Sequence, residues 1–143
     1  MATRIGILTC GNATGELDCA AVVCLADLRK GRGEFARYQG GEAHLVGIVS
    51  CAGCPTAVAP GKILRRVRAL VEFGAGVLHL SYCVTALCPF IDAYESSIGA
   101  GFPGLKVVRG THRPAADPEG FRCQVASLLG APRPGMTDVI RGT

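Results

Sequence analysis

Short apolar runs alternate along the chain with longer stretches whose apolar positions recur every three or four residues. Residues 4–9, RIGILT, form an Ile/Leu-rich run closed by Cys10-Gly11-Asn12, the pattern of a buried strand ending in a turn. Residues 18–30, DCAAVVCLADLRK, contain no breaker and stop at Gly31. Asp18 is the expected N-cap, and Arg29 and Lys30 suit the negative end of a helix dipole. This helix is apolar almost all round and is expected to be well buried. Gly31 to Glu42 reads as a polar, Gly-rich connection. HLVGIVS (44–50) is a second buried strand. Residues 60–73 are the clearest amphipathic helix, with Ile63, Val67, Leu70 and Val71 on one face. GVLHLSY (76–82) is a third strand. Residues 89–98 form a helix with Pro89 in its first turn and Phe90, Ile91, Tyr94 and Ile98 on one face. LKVVRG (105–110) is a fourth strand.

The order β-α-β-α-β-α-β implies a parallel sheet with helices on both faces and right-handed crossovers. The expected fold is an α/β three-layer sandwich, flavodoxin-like or Rossmann-like, with strand order 2-1-3-4. The α/β domain spans 1–112, and 113–143 is a C-terminal helix and extended tail. In that tail, FRCQVASLL (121–129) reads as a short helix with Phe121, Val125, Leu128 and Leu129 toward the core. The breaker-rich end reads as an arm over the surface, over a protein partner or over a second copy. No internal sequence repeat is present.

Composition narrows the chemistry. The chain has 143 residues, 49% hydrophobic and 18% charged, with no Trp. That is enough apolar material for one core without cross-links. No signal segment or membrane span is visible, so the expected compartment is the cytoplasm. There, 8 Cys point to metal binding or thiol chemistry rather than to disulfides. The net charge of +4 is spread out. Its densest group, Lys62, Arg65, Arg66 and Arg68, reads as a solvated helix face, because nucleic-acid binding calls for more charge and interleaved aromatics.

The thiols follow the strands. Cys10 ends strand one, Cys51 strand two and Cys83 strand three, and His112 follows strand four. In a parallel sheet these carboxyl ends share one edge, where ligands bind near the point of strand-order reversal. Cys54 lies three residues past Cys51, and Cys88 five past Cys83. Cys19 and Cys24 lie in the first turns of the first helix. Helix N-termini lower thiol pKa, and the thiolate is the form that binds metal. Four N/S ligands satisfy tetrahedral zinc, and thiolates equally hold iron–sulfur clusters, in one pattern with the Cys-Pro step seen here at Cys54-Pro55 and Cys88-Pro89. Seven thiols and an imidazole exceed the needs of one zinc ion. Cys123, in the tail helix, reads as a small buried apolar residue. His79 reads as a hydrogen-bonded core group and His44 as exposed.

The pieces IGILTC (5–10), LDCAAVVCLADL (17–28), LVGIVSCAGCP (45–55), LHLSYC (78–83), LCPF (87–90) and VVRGTH (107–112) resemble the CGGC domain, a small bacterial and archaeal domain named for its central Cys-Gly-Gly-Cys. The likeness covers about residues 3–112. It implies a metal-binding domain, with zinc proposed from the family's cysteines and histidines. Carried over, it points to Cys10, Cys19, Cys24, Cys51, Cys54, Cys83, Cys88 and His112. Ala52 replaces the first central glycine of the family motif, a small residue that leaves ligation intact unless that position needs a positive φ.

Rival readings fare worse. A low-mass phosphatase or arsenate reductase needs an Arg six positions past the first Cys, where this chain has Glu16. A flavodoxin binds FMN phosphate on its first loop, and TCGNATGE has that flavour. Few aromatics, and a Cys and an acid in the loop, argue against it. Three classes remain: a metal-binding module for handling or sensing, an iron–sulfur protein, and a metal-free thiol oxidoreductase using Cys51 and Cys54. The first two share one expectation, a cysteine-rich site with zinc or an iron–sulfur cluster. Its core set is Cys10, Cys51, Cys54, Cys83 and Cys88, with Cys19, Cys24 and His112 as further ligands or their supports.

Overall fold

The structure is a computed structural model describing residues 2–51, 60–131 and 135–142. Four strands, β1 (Thr3–Thr9), β2 (Ala43–Ser50), β3 (Val77–Leu80) and β4 (Lys106–Arg109), form one parallel sheet in the order β2-β1-β3-β4. This is the α/β sandwich and strand order that the alternation predicts. β1 is central, and its Ile5, Ile7 and Leu8 are fully buried.

The two faces of the sheet are covered unequally. On one, α2 (Pro60–Glu72) and α4 (Ile91–Gly101) bury Ile63, Val67, Leu70, Ile91, Tyr94 and Ile98 against Leu8, Leu78 and Leu80. These are the faces read from the three-to-four-residue periodicity, except for Phe90, which precedes α4 and is 36% exposed. Each buried side chain contributes roughly 1.5–3 kcal/mol. α4 starts at Ile91, so Pro89 lies two residues ahead of it rather than in its first turn. α2 seats deeply because two positions below it lack side chains. A Cβ at Gly6 would lie 2.7 Å from Leu70 Cδ1, and one at Gly47 2.9 Å from Leu70 Cδ2.

The other face carries α1 (Val22–Lys30) and a smaller cluster of Ile5, Ile7 and Phe35. Phe35 comes from a 3₁₀ turn at Gly33–Tyr38, within the stretch read as a polar connection. α1 begins four residues later than its pattern predicts. Asp18 and Ala21 both take left-handed backbone conformations (φ 57°), so Asp18 does not cap the helix and residues 17–21 form an irregular approach to it. Nor is α1 well buried: Cys24 and Asp27 point inward, while Val22 and Val23 are 64% and 56% exposed. Its end matches expectation, with Arg29 and Lys30 in the last turn and Gly31 at φ 61°.

Strand three stops at Leu80. Ser81 then caps a short helix, α3 (Tyr82–Leu87), by accepting the Val84 N–H. A cap one residue before the expected strand end turns the apolar Tyr82-Cys83-Val84 into helix, because the serine oxygen satisfies a backbone donor that a strand would leave to its neighbour. In the tail, α5 (Pro118–Gly130) is capped by Asp117, and α6 (Met136–Arg141) forms where only breakers were read. α5 has no fully buried residue. Leu128 and Leu129 are 56% and 40% exposed, and Cys123 is exposed rather than a buried apolar filler. Among the described residues no helix is long and apolar enough to cross a membrane.

Candidate metal centre

The ends of β1 and β2 and the start of α3 bring three thiols together. Cys10 follows β1 and is buried; its thiol hydrogen-bonds both Cys51 and Cys83. Cys51 follows β2. Its N–H donates to Thr9 O (2.8 Å), and its Sγ accepts the Gly11 N–H at 3.0 Å. Arg66, read as part of a solvated basic face, instead clamps this strand end. Its Nη1 donates to Ser50 O (2.8 Å), Ser50 Oγ (3.0 Å) and Cys51 O (3.3 Å). Cys83 sits in the first turn of α3 with Ser81 Oγ at 2.8 Å. Because Ser81 Oγ accepts from Val84 N, its own hydroxyl proton is available to Cys83.

These contacts divide the protons unevenly. The hydrogen bond from Cys10 lowers the Cys83 pKa most. Burial opposes it and Ser81 adds to it, leaving Cys83 lowered to about 7. For Cys10, the Cys51 hydrogen bond is the largest influence and lowers its pKa. The hydrogen bond it gives to Cys83, and its burial, outweigh that, so the net shift is upward. Cys83 is thus the thiol that ionises first, with Cys10 as a donor that favours its charged form.

The remaining predicted residues separate from this trio. Cys88 follows α3, is half-buried, and lines the same chamber as Cys10 and Cys51. Cys54 lies outside the described residues. Cys24 faces another partner, Thr111 Oγ1 at 3.1 Å, and burial pushes its pKa up. Cys19 is exposed on the irregular segment rather than opening a helix, and its N–H bonds Ala13 O (2.9 Å). His112 is half-buried: its Nδ1 donates to Arg113 O (2.7 Å), and its ring packs on Tyr82. His79 is the core group expected. It is fully buried, donates from Nδ1 to Gly110 O and accepts at Nε2 from Tyr38 Oη, both at 2.7 Å. Burial lowers its pKa. His44 is exposed, as expected.

Two largely apolar chambers flank the thiols. One, of about 270 Å³, has Cys10, Cys51 and Cys88 in its wall. The other, of about 220 Å³, is lined by Cys19, Cys24, Cys83 and His112. Leu87 and Val125 border both.

The family model described as the CGGC domain matches residues 4–112. The chain belongs to the CGGC domain family. Membership points to a metal-binding role. No curated protein and no solved structure matches the chain. In this CGGC domain the Cys83 thiol, with its pKa lowered to about 7, is the one closest to ionising at neutrality, and the thiolate is the form that binds metal. Among the described residues, no three or more His, Cys, Asp or Glu side chains are arranged to hold an ion.

The chain's spacing did not reveal Ser81 and Thr111 as partners of the thiols, or Arg66 as the clamp on the backbone of Cys51. Ser81 carried a usable signal, a serine just before a short breaker-free run. Arg66 carried none, because the strand end it reaches is 16 residues away in sequence.

Proposed function

We propose that this CGGC domain binds a thiophilic metal, as zinc or as an iron–sulfur cluster, at the carboxyl edge of its sheet, in metal handling, sensing or redox. Cys10, Cys51 and Cys83 form the core of the ligand set and Cys54 and Cys88 are the candidates to complete it, while Cys19, Cys24 and His112 lie further out. The observation that carries this reading is that Cys10 and Cys51, each directly after a strand, wall one chamber with Cys88, the Cys51 Sγ lying 3.0 Å from the Gly11 nitrogen next to Cys10. Bound zinc would hold the thiolates together by its charge, and a cluster would add one-electron chemistry. Anaerobic purification with elemental analysis and a visible spectrum tests it. Near-stoichiometric zinc, or iron with sulfide and a brown colour, is expected; a metal-free chain overturns it.

A metal-free thiol oxidoreductase is the second reading, and the lowered pKa of Cys83 favours it. Among the described residues, the thiol hydrogen-bonded to Cys83 is Cys10, whereas the expected pair was Cys51 and Cys54. The Cys83 thiolate would attack a substrate disulfide and release one thiolate. Cys10 would then give up its proton to that product and close the Cys10–Cys83 bond, releasing the second thiolate. The substrate gains two electrons and the protein loses two. Reactive, titratable thiols in a metal-free chain would favour this reading.

A further inference from the structure

The tail helix is thinly packed: Phe121 lies on the Tyr82 ring (centroids 5.1 Å), and the rest of its apolar face borders open chambers. Phe121, Val125 and Leu129 recur every four residues along α5, the spacing of one helix face. Such a face ordinarily packs on a core, yet no α5 residue is fully buried. Instead Val125 and Leu129 border the chamber walled by Cys10 and Cys51, and Phe121 and Val125 border its neighbour. A metal held by protein thiols alone occupies only the thiol wall and leaves the apolar room beside it unfilled. A carbon skeleton fits it. A dry apolar cavity of ~150 Å³ already holds benzene, and the thiol-walled chamber is about 270 Å³.

We propose that the ligand of this site is a small organic compound carrying a thiophilic atom, an alkyl- or aryl-substituted metal or metalloid. Its soft atom is held by Cys10 and Cys51, and its carbon group fills the chamber beneath Val125 and Leu129. This rests on the thiol-ligation reading above and adds what the ligand carries. With a monosubstituted arsonous acid as probe, R–As(OH)₂ and two thiols give R–As(S-Cys)₂ and two waters. Two As–O and two S–H bonds break, two As–S bonds form, each thiol proton leaves in a water, and no electron is transferred.

The test is calorimetric titration of the reduced full chain, as purified anaerobically, with methylarsonous acid and with phenylarsonous acid. The same pair is titrated against free dithiothreitol. Any metal already bound weakens both probes equally, so the phenyl-to-methyl preference is the readout. Burying a ring in place of a methyl group is expected to raise that preference at least about tenfold over the free dithiol's. Val125→Trp fills the chamber and is expected to abolish the excess; Leu129→Trp does so from the other end of the roof. A preference equal to the free dithiol's, or one that survives both Trp variants, overturns the inference and leaves the metal reading standing. Failure of both probes to bind overturns the inference; elemental analysis of the same sample decides the thiol-ligation reading separately, which falls only if that sample is also metal-free.

Discussion

Two groups of cysteines share one edge of the sheet, and they are held in opposite ways. Cys10, Cys51 and Cys83 meet other thiols, and one of the three has its pKa lowered to about 7. Cys24 meets a hydroxyl: Thr111 is fully buried, its Oγ1 also accepts the Tyr82 N–H (3.1 Å), and its carbonyl accepts the Glu34 N–H (2.9 Å). Sulfur facing sulfur leaves donor capacity that a metal or a disulfide can take up. Sulfur facing a hydroxyl inside a backbone network is spent on the fold. Proximity to a sheet edge therefore does not by itself make a thiol a ligand; its partner decides.

The largest effect expected to separate the groups is on metal content. Cys51→Ser combined with Cys83→Ser should leave the chain without metal by elemental analysis, while Cys24→Ala keeps full stoichiometry. Metal lost from a folded Cys24→Ala chain would erase the distinction. Next comes stability on the Thr111 side. Gly33 has φ 58°, and a Cβ there would lie 2.5 Å from Thr111 O and 2.7 Å from the His112 carbonyl carbon. Gly33→Ala should cost roughly 3 kcal/mol in urea unfolding, from left-handed strain plus overpacking against backbone that cannot yield. A near-neutral result would show that this anchor is soft. Thr111→Val removes the acceptor of the buried Tyr82 N–H and should cost about 1–3 kcal/mol, with metal content unchanged.

The smallest effects are in titration, read on metal-free chain. The folded pKa of Cys83 is about 7, against an ordinary 9.0, so its contribution to stability is fully present above pH 9 and is lost as pH falls through 7. Cys10 and Cys24 are raised and act the other way, their contributions being lost as pH rises above the ordinary thiol range. Stability should therefore climb between pH 7 and 9, and Cys83→Ser should flatten that climb. Alkylation at pH 7 followed by mass spectrometry should label Cys83 at least about tenfold faster than Cys24. Equal rates would mean that the thiol trio confers no special reactivity. His79 adds an acid limb: its lowered pKa means that stability falls as pH drops below its ordinary 6.5.

The sheet, its order and the faces of α2 and α4 were legible because each rests on periodicity that only burial explains. Ile63, Val67 and Leu70 could serve no other purpose. The places of Cys10 and Cys51 directly after β1 and β2 were legible too, since strand ends in a parallel sheet have fixed places. What escaped was set by single polar contacts and backbone signs. Asp18 and Ala21 take left-handed conformations without being glycine, so nothing warned that α1 starts late. Tyr82-Cys83-Val84 extends an apolar run, so the strand appeared longer than Ser81 allows. Phe121, Val125 and Leu129 carry an honest helix pattern, but periodicity cannot tell a packed core from a hollow one.

The two glycines beneath Leu70 work like a countersunk screw-hole. They let α2 sink into the sheet, and one helical turn earlier along the same rod Arg66 reaches the lip of β2 and grips the carbonyls of Ser50 and Cys51. The height of Cys51 above the sheet is thus gauged from inside the domain, by side chains that are missing. A methyl group added at Gly6 would jack the rod upward and loosen the grip at its far end, detuning the thiol without touching it.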